Sequence, residues 1–118
     1  MGQDLDTGES VGVGDVAAQA EQAMADIAML LDECGSRLEG IVKTTVCLTE
    51  FRYREPVHRT MGRRPEGVPY VSAGLVVSAL ARPEWRVEID ATAVVPADRA
   101  DEARERRAAR AAERGENL

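Results

Sequence analysis

The chain is poor in the residue types that build large cores, metal sites and membrane spans. Aromatic residues make up 3% of its 118 residues, and it has one histidine and two cysteines. No apolar stretch approaches the roughly 18 residues that a membrane-spanning helix needs. Cys34 and Cys47 have neither metal-ligand nor redox spacing. We therefore expect a cytoplasmic protein with buried, reduced thiols, and its thin aliphatic core favours an oligomer over a monomer.

Negative charge is concentrated in the first third of the chain. The formal net charge is -6, and residues 1–40 contain nine acidic residues against one base, Arg37. Such a surface repels nucleic-acid backbones. One local basic region follows: Arg52, Arg54, Arg59, Arg63 and Arg64. Because Tyr53 is its one interleaved aromatic residue, it is a poor base-stacking surface, and we expect no nucleic-acid partner. RNA contact through this cluster is the alternative.

A first helix is predicted from about residue 16 to residue 34, after a glycine-rich and acidic loop over residues 1–14. Asp15 is a good N-cap because its carboxylate can accept a bond from a free backbone N–H of the first turn. Gly35 can adopt the left-handed conformation that ends a helix. An apolar stripe recurs at three- and four-residue steps and predicts one buried face: Val16, Ala20, Met24, Ile27, Leu30, Leu31 and Cys34.

The next segment, residues 41–49, is predicted to be a strand because β-branched residues dominate it. Strict alternation places Val42, Thr44, Val46 and Leu48 on one face and Ile41, Lys43, Thr45 and Cys47 on the other. Neither face is purely polar. We therefore expect helices to cover one face and a second copy of the chain to cover the other.

The rest of the chain predicts a short helix beginning near Glu55 and strands at about 70–79 and 85–95. In the last strand, apolar residues from Trp85 to Ala93 alternate with Arg86, Glu88, Asp90 and Thr92. The tail from Pro96 contains six arginines and six acids, with alanines between them. It predicts a frayed, solvated helix, and partner binding by the tail is the alternative.

Three separated segments resemble signature segments of the RidA family, also called YjgF, YER057c or UK114 and historically the L-PSP endoribonucleases. They are DVAAQAEQA at 15–23, GIVKTTVCLTEF at 40–51 and VEIDATAV at 87–94. The resemblance implies a chorismate-mutase-like α+β fold, a mixed sheet packed on two helices, in a domain over residues 1–96 followed by the charged tail at 97–118. It also implies a homotrimer, with small molecules bound at subunit interfaces and no cofactor.

The chain departs from the family pattern at its start and at its substrate site. The family's first hairpin has no counterpart before Met1, so either the start lies upstream or the domain is natively abbreviated. The family's carboxylate-binding arginine corresponds to Ala73 in an ungapped alignment back from VEIDA. Tyr70, Ser72 and Gly74 border that position and are the other substrate-binding candidates, with plain strand residues as the alternative.

By the same resemblance, Glu88 matches the family's acidic residue on the last strand and is the catalytic candidate. The alternative is an ordinary surface residue that pairs with Lys43 or Arg86. The single histidine, His58, is a general-base candidate or a solvent-facing residue. The implied activity is hydrolysis of reactive enamines and imines to 2-keto acids. A non-catalytic ligand-binding or regulatory trimer and an endoribonuclease are the alternatives.

Overall fold

The computed structural model describes residues 1–63 and 69–115. Within these ranges the elements run in the order α1 (Val16–Glu33), β1 (Ile41–Leu48), α2 (Arg54–Met61), β2 (Val71–Val76), β3 (Val87–Ala93) and α3 (Ala100–Glu113). Short 3-10 turns precede β1, α2 and α3. The predicted α+β class is confirmed, and so is the order of its elements.

Both predicted ends of α1 are confirmed. The Asp15 carboxylate accepts a hydrogen bond from the Ala18 backbone N–H at 3.0 Å. At the other end Gly35 has a φ of +82°, a conformation that glycine adopts without strain. The Ser36 N–H then donates to the Leu31 carbonyl at 2.8 Å, which satisfies one of the carbonyls left free at a helix end.

The sheet is mixed, as predicted, with the strand order β2–β1–β3. The central strand β1 runs parallel to β2 and antiparallel to β3. Helices α1 and α2 pack on one face of β1 and β3 and form the core there. The buried apolar residues of this core are Ala20, Ala23, Met24, Val46, Leu48, Tyr53, Val57, Met61, Val87 and Ile89.

A β-bulge at the start of β1 corrects the predicted division of its faces. The register with β3 shifts between Ile41 and Lys43, so Val42 is the extra residue. Ile41 is consequently 2% exposed and belongs to the buried side, whereas Val42 is 46% exposed. Strict alternation would have placed these two side chains on the opposite faces. From Lys43 to Leu48 the predicted alternation holds.

The buried face of α1 also differs from the predicted stripe. Leu30, near the C-terminal end, is 49% exposed, whereas Gln19 in the second turn is 1% exposed. The buried Gln19 amide links α1 to the loop before it and to the segment that leads into β3. Its amide nitrogen donates to the carbonyls of Gly12 at 3.1 Å and Glu84 at 3.0 Å, and its amide oxygen accepts from the Arg86 N–H at 2.8 Å.

The tail forms a helix, as predicted, and α3 also makes contacts with α1. Ala111 is 2% exposed. Arg110 forms an ion pair with Glu33 at 3.2 Å, and the Arg106 guanidinium donates to the carbonyl of Asp32 at 2.9 Å. Through these contacts α3 lies against the C-terminal end of α1, so this part of the tail is not fully solvated.

No helix within the described part of the chain is both long enough and apolar enough to cross a membrane.

Candidate functional site

The sheet face that the helices leave uncovered carries three rows of side chains, because paired residues on neighbouring strands point to the same side. We call it the open face. The first row is Val71, Lys43 and Thr92; the second is Ala73, Thr45 and Asp90; the third is Leu75, Cys47 and Glu88. Each row crosses from β2 through β1 to β3.

The two outer strands give the open face an apolar side and an acidic side. On β2, Val71 is 70% exposed and Leu75 is 52% exposed. On β3, the Glu88 and Asp90 side chains are both exposed. Ala73, which lies between them, is exposed as well. A strip of exposed apolar residues of this kind is typical of an interaction surface rather than of a free monomer surface.

Glu88 makes neither a hydrogen bond nor an ion pair with the residues that the structure describes. Neither of the partners that the surface-residue alternative named, Lys43 and Arg86, pairs with it. Lys43 is two rows away, about 14 Å by strand geometry, and Arg86 donates instead to the Tyr53 hydroxyl at 2.8 Å. Glu88 does lie near enough to the Met1 amino group to affect it: burial lowers the pKa of that group, and the charges of Glu88 and Asp26 oppose the shift.

Ala73 lies on the open face with Glu88, in the neighbouring row. The spacings of strands and residues separate their Cα atoms by about 12 Å. A guanidinium extending from position 73 would cover roughly half of that distance, which leaves room for a small substrate between it and the carboxylate. Lys43 is the one cation on the open face as described, and its Cα lies about 8 Å from that of Ala73.

Lys43 is the site residue that sequence reasoning missed. The alternation of β1 already placed it on one face with Thr45 and Cys47. What that pattern could not give was the pairing of β1 with β2, which brings Lys43 beside the Ala73 position.

The other three predicted substrate-binding residues do not lie on the open face. Ser72 pairs with Thr44 on the helix side, where the Thr44 hydroxyl donates to the Ser72 hydroxyl at 2.9 Å. Tyr70 packs against the buried core, and burial raises the pKa of its phenol. Gly74 pairs with Val46 on the same side. The predicted five-residue site therefore divides between the two faces of the sheet.

The histidine and the basic cluster lie on α2 and beside it, away from the open face. His58 is exposed, which agrees with the alternative that it faces solvent. Arg59 pairs with Glu55 at 2.6 Å. Arg54 and Arg63 are exposed, and Arg64 lies outside the described residues.

Among the described residues, no three His, Cys, Asp or Glu side chains lie close enough together to hold an ion. The side chains of the open face themselves offer two kinds of group. A free carboxylate can accept a proton or orient a water molecule, and an ammonium group can attract an anion.

Comparison with known proteins gives the same family from the sequence and from the fold. The model of the family described as Endoribonuclease L-PSP matches residues 1–95. The protein DfrA of Myxococcus xanthus is 40% identical over 81 residues, which are 69% of this chain and 61% of that protein. The chain thus spans less than two thirds of that relative's length.

Two solved structures extend the likeness to the fold. Rv2704 of Mycobacterium tuberculosis, a member of the YjgF/YER057c/UK114 family, is 30% identical with a TM-score of 0.67, over 69% of each chain. RidA of the Antarctic bacterium Psychrobacter is 26% identical with a TM-score of 0.73, over 80% of this chain and 74% of its own. The chain therefore belongs to the L-PSP endoribonuclease family, which is also named the RidA, YjgF or UK114 family.

Proposed function

We propose that this chain forms a homotrimer whose open faces point inward, and that small molecules bind at the seams between subunits. The observation that carries the proposal is the position of Glu88, which has no hydrogen-bond or ion-pair partner among the described residues. It lies on the same exposed face as the apolar residues of β2, with β1 between them. The strand face of one chain is too flat to enclose a ligand, whereas ligand sites are usually concave. A neighbouring subunit would supply the missing wall.

The reaction that suits such a seam is hydrolysis of a reactive imine or enamine. Water adds to the imine carbon, ammonia leaves and a 2-keto acid remains. Glu88 is the residue that would orient the water and transfer protons. Lys43 is the available cation for a substrate carboxylate, but a lysine acts as a point charge and cannot make the bidentate contact that an arginine makes. Slow turnover is therefore expected.

The activity can be tested with an imine that an amino acid oxidase generates in solution, in the presence of semicarbazide, which traps the imine that escapes hydrolysis. We expect the protein to lower the rate at which the semicarbazone forms and Glu88→Gln to abolish the effect. Asp90→Asn is the matched control, because Asp90 lies on the same strand and face one row away. Ala73→Arg should increase the rate, since it supplies the guanidinium that the family pattern has there. If neither the natural chain nor Ala73→Arg hydrolyses the imine, the enzymatic proposal is wrong.

A non-catalytic ligand-binding trimer is the second candidate. The observation that favours it is Ala73, because an alanine at this position provides no guanidinium group to bind and position a carboxylate. Such a protein would show ligand-dependent increases in melting temperature without turnover.

The trimer can be tested with two substitutions in β2, one on the open face and one on the opposite face as its control. Leu75 lies on the open face and is 52% exposed, whereas Val76 points to the other side and is 56% exposed. We expect light scattering to give a trimer mass for the natural chain and for Val76→Asp, and a smaller mass for Leu75→Asp. A single-chain mass for the natural protein would refute the assembly.

A further inference from the structure

A concave site lies where β1 ends and β3 begins, beyond the third row of the open face. Its cavity has a volume of about 280 Å³, near the lower end of the range for small-molecule sites. The side chains that matter for binding are Arg52, Tyr53, Leu80, Arg82, Trp85 and Arg86. A cavity of this size admits a small metabolite but not a nucleotide chain.

Aromatic rings hold the guanidinium groups of this pocket in place. Tyr53 and Trp85 are 8% and 6% exposed. The Arg86 and Arg52 guanidinium carbons lie 5.5 and 5.1 Å from the Tyr53 ring centroid, and that of Arg82 lies 4.8 Å from the Trp85 ring. Stacking of this kind orients a planar cation before a ligand arrives, so less entropy is lost on binding.

The charge of the pocket is only partly neutralised. Arg52 forms an ion pair with Glu50. Arg82 donates to neutral acceptors, the Gly8 carbonyl at 2.9 Å and the Ser10 hydroxyl at 3.4 Å. An acid, Glu84, lies near Arg82. The pKa of Glu84 is lowered first by the Ser10 hydroxyl, then by its own backbone N–H and also by the charge of Arg82.

Arg86 differs from the other two arginines, because no carboxylate within the described ranges neutralises it. Its guanidinium has five N–H donors, and the Tyr53 hydroxyl accepts one of them at 2.8 Å. That hydroxyl also accepts from Arg52 at 3.3 Å. Since both bonds use the oxygen as acceptor, the phenolic proton of Tyr53 is left to donate. Arg86 and Tyr53 thus present several donors and a net positive charge to the cavity.

From this arrangement we infer that the pocket binds a small organic carboxylate. Arg86 donates two hydrogen bonds to the carboxylate in a bidentate contact, the Tyr53 hydroxyl donates a third, and Leu80 contacts the carbon skeleton. Guanidinium groups match the planar carboxylate geometry in this way. The pocket lies beyond the third row of the open face. By strand geometry Arg86 is about 16 Å from Ala73 and about 7 Å from Glu88, which follows it by two residues.

The protein contains its own reporter, since Trp85 is its one tryptophan and forms part of the pocket wall. We propose to titrate the full chain with succinate at constant ionic strength, following tryptophan fluorescence, with succinamide as the uncharged analogue. A saturable change is expected with succinate and none with succinamide. Arg86→Gln should raise the dissociation constant about tenfold or more, because charged hydrogen bonds are among the strong ones.

The variants also separate binding from folding. Tyr53→Phe should weaken binding severalfold. Arg86→Lys should give an intermediate affinity, because lysine keeps the positive charge but cannot make the bidentate contact. Arg59→Gln, which changes an exposed arginine on α2, should bind as the natural chain does. Circular dichroism checks that each variant is folded, and Arg86→Lys and Tyr53→Phe carry the test if Arg86→Gln does not fold.

Several results would overturn the inference. They are the absence of a saturable response to succinate, an equal response to succinamide or sodium chloride, and unchanged affinity in the folded Arg86 and Tyr53 variants. A response to inorganic phosphate without one to succinate would refute the carboxylate class.

Discussion

Replacing Gln19 by leucine should destabilise the fold more than any comparable change of a single glutamine in α1 or the loop before it. The Gln19 amide makes three hydrogen bonds to backbone groups, on Gly12, Glu84 and Arg86. These groups belong to the loop before α1 and to the segment that leads into β3. Leucine has a similar volume but no polar atom, so the change removes the bonds without opening a large cavity.

The magnitude follows from the groups left behind. A buried donor or acceptor that loses its partner costs about 1–3 kcal/mol, and Gln19→Leu leaves three such groups. Burying leucine in place of an amide returns part of this, at about 0.8 kcal/mol per buried methylene. We therefore expect a net loss of about 3 kcal/mol in the free energy of unfolding. For a chain of this length that corresponds to a fall of roughly 10 °C in melting temperature.

Urea unfolding at one fixed protein concentration, followed by circular dichroism, measures this loss. Gln3→Leu is the matched control, because the Gln3 side chain makes one hydrogen bond, to the Gly8 carbonyl at 3.0 Å. It should cost about 1 kcal/mol or less. If Gln19→Leu loses no more stability than Gln3→Leu, Gln19 does not join these segments as described.

Three further changes test other parts of the fold. Burial raises the pKa of Asp26, against the opposing effect of the Gln22 amide, so its ionised form costs stability at pH values above its ordinary pKa. Asp26→Asn should therefore raise the melting temperature at pH 7 and lose that gain near pH 3. Asp15→Ala should cost about 1 kcal/mol through loss of the helix cap, with Asp6→Ala as the exposed control. Thr44→Val should cost about 1 kcal/mol by removing the bond to Ser72. Equal melting temperatures for the variants and the natural chain would contradict each expectation.

Local signals predicted the parts of the fold that depend on neighbouring residues. Asp15 and Gly35 set the ends of α1 because a cap acts within one turn, and the alternation around Val87 and Ile89 identified β3 and its buried face. The bulge at Val42 was not predictable in this way. It depends on the register between β1 and β3, which no pattern within β1 contains.

The candidate site shows the same division. Alternation along the last strand placed Glu88 opposite the buried Val87 and Ile89, and Glu88 is exposed. Its catalytic role stays a prediction. Tyr70, Ser72 and Gly74 were grouped with Ala73 because they are close in sequence, although alternation along a strand sends residues of different parity to opposite faces. The Arg86 pocket was missed because it depends on where the turn after β1 places Tyr53, at a sequence separation of 33 residues.

The contact between α3 and α1 places positive charge where α1 itself has none. The last turn of α1 contains no basic residue and ends in Asp32 and Glu33, an unfavourable sign for the negative end of a helix dipole. Arg106 and Arg110 reach this end from α3. Concentrated salt should therefore release α3 and let the final turn of α1 unwind with it, so that the amide hydrogens of both segments exchange together while those of β1 stay protected.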